Sequence, residues 1–100
     1  MPPHPWPDFD EHNPIHQQLY SFLCMDVQCA PSQISALQQA IEQQQGCSAG
    51  NLYHYRCDQQ GILIESLYDE DERAPTTIPY PLAQHALDFW RQQCSNLGNL

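Results

Sequence analysis

The sequence predicts a small single domain of the α+β class, with its elements in the order α-α-β-β-α and an antiparallel β-hairpin packed against the helices. Two stretches with helical spacing of apolar residues come first, a β-rich run around a glycine turn follows, and a third helical stretch comes last. The chain has 100 residues, 41% of them hydrophobic, which suits one modest core.

Residues 1–12 are predicted to form an arm outside the domain, which spans residues 13–100. Prolines occupy positions 2, 3, 5 and 7. Because proline fixes the backbone φ angle and has no N–H donor, we expect this arm to be extended or disordered. Two alternatives stand for Trp6 within it. The side chain anchors the arm to a partner, as aromatic residues do at interfaces, or it folds back onto its own domain.

Three helices are predicted from their start signals and apolar spacing. Asn13 followed by Pro14 is typical of an N-cap and opens a helix over residues 14–25. A second helix spans residues 32–45, with Gly46 after its end. The third runs from Pro81 to about Asn96. Each helix carries one apolar face, formed in turn by Ile15, Leu19, Phe22 and Leu23, by Ile34, Leu37, Ala40 and Ile41, and by Leu82, Ala86, Phe89 and Trp90.

The segment between the second and third helices predicts the hairpin. Asp58 and Gly61 hold the first and fourth turn positions, as a type I turn with a bulge prefers. A shift of one residue would exchange the two faces of the hairpin, so the register stays open. The preferred register places Cys57–Ile62, Tyr55–Ile64 and Tyr53–Ser66 against the helices, and Arg56–Leu63, His54–Glu65 and Leu52–Leu67 on a half-exposed face.

The charge balance restricts the choice of partner. The chain has twelve acidic residues, three arginines and no lysine, for a net charge of −9. Nucleic-acid binding needs cations that neutralise phosphates, so we expect no nucleic acid as partner. Anionic membrane surfaces are disfavoured for the same reason, and no stretch is long and apolar enough to predict membrane insertion. The charge favours a basic protein partner, with simple solubility as the alternative.

Four acidic residues stand in a row after the second strand: Asp69, Glu70, Asp71 and Glu72. Adjacent like charges repel one another and add little to a fold. Prolines follow at positions 75 and 79 and predict an extended crossing to the third helix. The acidic run is therefore a candidate partner-binding loop, and a solvated connector is the alternative.

The cysteines predict no site of their own. Their number is five, and no secretory leader is evident, so we expect reduced thiols and a cytoplasmic protein. His54 and Cys57 are three apart on a strand and point to opposite faces, which argues against zinc. No glycine-rich phosphate loop and no nucleophile–base signature occurs. We expect no cofactor, no metal and no catalytic activity.

These observations favour a small acidic protein-binding module that covers a basic partner surface, in the manner of an inhibitor or an immunity-type protein. An accessory or regulatory subunit, or a homodimer through the hairpin edge, is the alternative, because a monomer would leave the arm and one sheet face unused. A thiol-dependent enzyme is a third and weaker alternative, since no C-x-x-C motif occurs. The candidate partner-binding residues are Asp69, Glu70, Asp71, Glu72, Trp6, His54 and Glu65.

Overall fold

The computed structural model describes residues 4–50, 53–66 and 75–96, and it confirms a small α+β domain. The sheet is antiparallel, with its four strands in the order β1-β2-β3-β4. The elements are α1 (Pro14–Phe22), α2 (Pro31–Gln43), β1 (Cys47–Ala49), β2 (Tyr53–Cys57), β3 (Ile62–Ser66), β4 (Thr76–Ile78) and α3 (Tyr80–Asn96).

The start of α1 follows from the cap that the sequence predicts. The Asn13 side chain accepts a hydrogen bond of 2.9 Å from the Ile15 N–H, and Pro14 takes the first helical position, where no N–H is needed. The predicted helix over residues 14–25 is α-helical only to Phe22. A π-helical turn, Leu23–Val27, continues it and closes with a bond of 2.7 Å from the Gln28 N–H to the Leu23 carbonyl.

The strand pairing confirms the predicted hairpin register. Two short strands, β1 and β4, flank the hairpin and were not predicted. Three residues are too few to show an alternating pattern, so each of these strands is defined by its pairing with β2 or β3 rather than by its own composition. The predicted pair Leu52–Leu67 lies outside the described residues. The confirmed pairs are Tyr53–Ser66, His54–Glu65, Tyr55–Ile64, Arg56–Leu63 and Cys57–Ile62.

One face of the sheet meets the helices and forms the core. Its buried side chains are Tyr53, Tyr55, Ile62, Ile64 and Ile78, and the helices contribute Leu19, Phe22, Ile34, Leu37, Leu87 and Trp90 among others. The opposite face carries side chains that alternate with these and stay at least partly exposed. We call it the open sheet face, formed by His54, Arg56, Leu63, Glu65 and Thr77.

Trp6 belongs to the core and is not an exposed anchor. It is 2% exposed, and its ring packs nearly perpendicular to the ring of Phe9 at a centroid distance of 5.3 Å. The described part of the arm, residues 4–12, has no helix or strand, but it is not simply extended: two turns are closed by hydrogen bonds from the Phe9 N–H to the Trp6 carbonyl and from the Asn13 N–H to the Asp10 carbonyl. Of the two alternatives for Trp6, the structure shows the one in which the side chain folds back onto its own domain. Burial of a large aromatic ring removes apolar surface from water and so stabilises this conformation.

The expectation of five reduced thiols is wrong, since Cys29 and Cys94 form a disulfide with a Cα–Cα distance of 5.5 Å. Cys24, Cys47 and Cys57 are free. The two bonded residues are 65 apart in sequence, and only the packing of α3 against the end of the π-helical turn brings them together. Trp90 also holds α3 against the end of the π-helical turn, since its Nε1–H donates to the Gln28 carbonyl at 2.7 Å. The expected cytoplasmic location loses the support of reduced thiols and stays a prediction.

Candidate protein-binding surfaces

The predicted binding residues do not come together in one site. Asp69, Glu70, Asp71 and Glu72 lie outside the described residues. His54 and Glu65 lie on the open sheet face. Trp6 is buried in the core on the other side of the sheet. Since Trp6 is enclosed and the His54–Glu65 pair points away from the core, these residues cannot contact one partner surface jointly in this conformation.

The His54–Glu65 contact is a cross-strand pair on two neighbouring strands. The His54 Nε2 and Glu65 Oε2 atoms are 3.7 Å apart, and their side chains are 37% and 36% exposed. A pair this open to solvent contributes little to stability. Its position on the open sheet face leaves both side chains accessible to a partner.

Acidic side chains outnumber basic ones on the surface of the described part of the chain. Of the eight acidic residues described, six are exposed. The three ion pairs between described residues all join a carboxylate to a histidine. Arg91 instead donates to the amide oxygen of Gln38 at 3.1 Å. No permanent cation among the described residues therefore neutralises the exposed carboxylates, which are Asp8, Asp10, Glu11, Glu42, Asp58 and Asp88.

Asp8 and Asp88 both lie near His85, where the arm meets α3. Asp8 Oδ2 lies 3.4 Å from His85 Nε2, and Asp88 follows His85 by one helical turn. Asp10 accepts a hydrogen bond of 2.9 Å from the His12 N–H, which fixes the turn that carries Glu11. We call this surface the acidic patch, formed by Asp8, Asp10, Glu11 and Asp88. Asp8, Asp10 and Glu11 are close together in the sequence, whereas the contact of Asp8 with His85 on α3 depends on tertiary packing.

A groove of about 310 Å³ lies between α2 and β1. It was not predicted from the sequence, although alanines and glutamines recur at four-residue spacing on α2, a pattern that gives a helix a strip of small side chains beside a strip of amides. No charged residue lines the groove, in contrast to the acidic patch. Its lining, called the α2–β1 groove below, consists of Ala36, Gln39, Ala40, Gln43, Gln45, Gly46, Cys47, Ser48 and Tyr55.

The environments of the partly buried thiols keep them protonated. Burial raises the pKa of Cys24, and a hydrogen bond with Tyr20 opposes this rise. Burial also raises the pKa of Cys57, with the Tyr80 hydroxyl opposing it. Both pKa shifts run opposite to the shift that activates a cysteine nucleophile.

Neither a candidate metal site nor a membrane-spanning helix is found in the described ranges. No cluster of three or more histidine, cysteine or acidic side chains within residues 4–50, 53–66 and 75–96 is arranged to hold a metal ion. None of the helices in these ranges has the length and apolar character needed to cross a membrane. Comparison with protein-family models, with curated proteins and with solved structures found no match.

We expect Tyr20 to make the domain sensitive to alkali. Burial, followed by its contact with Cys24, raises the pKa of Tyr20 to about 12. The folded state thus holds the phenolic proton more tightly than the unfolded chain. The stability that this provides is fully present below the unfolded pKa of 10.0 and is lost as the pH rises towards 12.

Urea unfolding of the native protein and of Tyr20→Phe at a series of pH values from 8 to 11 tests this, with the free energy of unfolding extrapolated linearly to zero urea. The variant should lose less stability than the native protein between pH 10 and 11. Equal losses in both proteins would contradict the prediction.

Proposed function

We propose that this domain is a non-catalytic protein-binding module that covers a basic surface of its partner. The observation that carries the proposal is the uncompensated acidic surface. The net charge is −9, and in the described ranges the exposed carboxylates have no arginine partner. A surface of this kind speeds association with a basic protein and gives selectivity through complementary charge.

Two acidic regions support this function. One is the acidic patch, which combines side chains from the arm and from α3 and is held by the Asp8–His85 contact. The other is the run Asp69 to Glu72, which follows β3 in the sequence. An inhibitor or immunity-type protein that occludes a basic active site is one form that such a module takes.

The test is affinity capture from a lysate of the source organism under native conditions, followed by binding measurements with each captured protein after purification. We expect basic proteins to be retained and to elute as the salt concentration rises, because salt screens contacts between exposed charges. Replacing all four acids of the run, with Asp69→Asn, Glu70→Gln, Asp71→Asn and Glu72→Gln, should weaken binding and leave the unfolding transition unchanged.

A second variant neutralises the acidic patch instead, with Asp8→Asn, Asp10→Asn and Glu11→Gln, and shows which acidic region contacts the partner. Retention of only acidic or neutral proteins, or affinities that respond neither to salt nor to either variant, would contradict the proposed function.

The open sheet face favours a second candidate function, an accessory subunit of a larger assembly. Leu63 and Thr77 are only partly buried there and lie side by side on β3 and β4. A partner that packs on this face should lose affinity with Leu63→Glu and keep it when the acidic run is neutralised. The same captured proteins therefore distinguish the two functions.

A further inference from the structure

We propose that two copies of this chain pair through the outer edge of β1, so that the two four-stranded sheets join into one antiparallel sheet across a two-fold axis near Ser48. The partner in this inference is a second copy, not the basic protein proposed above. The two proposals rest on different surfaces and stand independently.

The hydrogen-bond pattern shows which backbone groups of β1 face outwards. The Cys57 N–H donates to the Gly46 carbonyl at 2.9 Å, and the Gly50 N–H donates to the Tyr53 carbonyl at 2.8 Å. Bonded and non-bonded positions alternate along an antiparallel ladder, so Ser48 also directs its N–H and carbonyl towards β2. Cys47 and Ala49 fall between these positions.

Cys47 and Ala49 therefore direct their backbone donors and acceptors away from the sheet, and both residues are exposed. A second β1 strand, antiparallel to the first and centred on Ser48, would pair Cys47 of each copy with Ala49 of the other. This arrangement satisfies all the outward-facing groups of both strands.

The two edges of the sheet are unequally protected. By the same alternation, Thr77 is the residue of β4 that faces outwards, and prolines flank that strand at positions 75 and 79. Proline has no N–H donor and blunts a sheet edge. The edge at β1 carries the small, uncharged side chains of Cys47, Ser48 and Ala49, none of which opposes pairing.

The charge distribution selects a second copy as the occupant of this edge. A chain with a net charge of −9 repels itself and can associate only through surface that is free of acids. The α2–β1 groove beside the edge is such a surface, because its lining holds no charged residue. For the same reason it offers no attraction to a basic partner.

The amides of the groove have a precedent for pairing within the fold. Gln38 on α2 and Gln84 on α3 exchange reciprocal hydrogen bonds of 2.8 and 2.9 Å. Joining the sheets at β1 would bring the α2 helices of the two copies towards each other, with Gln39 and Gln43 beside the axis. Glutamine amides both donate and accept, so identical side chains can pair across a two-fold axis.

Sedimentation equilibrium of the purified protein over a range of concentrations tests the pairing, with Ala49→Pro as the main variant. This substitution removes an outward-facing N–H and leaves the bonds between β1 and β2 in place. Each dimer loses two hydrogen bonds and leaves two carbonyls unpaired, so the dissociation constant should rise about tenfold or more.

Ala49→Ser is the matched control and should dimerise like the native protein. The charge-neutral variant of Asp69 to Glu72 should also keep the dimer, which separates this inference from the proposed function. A native protein that stays monomeric at every concentration, or a dimer that folded Ala49→Pro leaves unchanged, overturns the inference.

A cross-linking experiment does not depend on how well Ala49→Pro folds. In the proposed register Ser48 faces Ser48 of the other copy in a non-hydrogen-bonded pair, with Cα atoms about 4.5 Å apart, which a disulfide can bridge. Ser48→Cys combined with Cys47→Ser should give a covalent dimer on mild oxidation. Ser32→Cys in the same background is the control, since Ser32 is exposed but does not line the groove. Equal cross-linking of both variants overturns the inference.

Discussion

Removing the Cys29–Cys94 disulfide should lower the free energy of unfolding by about 4 kcal/mol, the cost that loop-closure entropy gives for a link between residues 65 positions apart. The link restricts the unfolded chain, in which it holds most of the domain in one loop. The bonded Cys94 is fully buried, so the folded state also loses a packed contact. The double variant Cys29→Ala with Cys94→Ala and the reduced native protein should both show this loss.

Urea unfolding with and without a reductant measures the effect. The reductant should destabilise the native protein and have no effect on the double variant. The double variant thus controls for any effect of the reductant other than breaking this disulfide. Cys47→Ser should respond to the reductant like the native protein, because Cys47 is exposed and free. A thiol titration of the unfolded native protein that finds five reactive thiols, with no response to reductant, would restore the expectation of reduced cysteines.

Replacing Trp6 with alanine should cost about 3–5 kcal/mol of stability, the range for removing a large aromatic side chain from a core. The ring is 2% exposed and contacts Phe9 and His16 at centroid distances of 5.3 and 5.5 Å. Its loss would leave a cavity between the arm and α1. Trp6→Phe should cost less, because the phenyl ring fills part of this space and the indole N–H has no hydrogen-bond partner to lose.

Met25→Ala is the matched control, since Met25 is a large apolar side chain that is 46% exposed. Its substitution should change the free energy of unfolding by no more than about 0.5 kcal/mol. If Trp6→Ala changed stability as little as Met25→Ala, the arm would be detached from the core. Trp6 would then again be available as an anchor for a partner.

These two predictions concern the disulfide and the burial of Trp6, neither of which the local sequence indicated. The proline-rich composition of the arm predicts an extended or disordered segment, and it does not indicate the turns or the burial of Trp6. The odd number of cysteines suggested thiols without partners. An odd count is equally compatible with one disulfide and three thiols, and only the contact of α3 with the Gln28–Cys29 corner decides which cysteines meet.

The sequence also indicated some features of the candidate binding surfaces and not others. The sequence indicated His54 and Glu65 as a cross-strand pair, because a turn at Asp58 to Gly61 fixes which residues of the two strands face each other. It indicated neither the contact of Asp8 with His85 nor the groove beside β1. Both depend on elements that are far apart in the chain, and no local pattern records such contacts.

The sequence by itself therefore determined the class of fold, the start of α1, the position and preferred register of the hairpin, and the acidic composition. Each of these depends on residues close together in the chain or on composition alone: an Asn-Pro cap, an alternating strand pattern, a turn with glycine in its place, and a net charge of −9. The tertiary structure decided the edge strands, the burial of Trp6, the disulfide and the uncharged groove. These depend on which surfaces pack together, since a three-residue strand or a single tryptophan gains its stability from its neighbours in space.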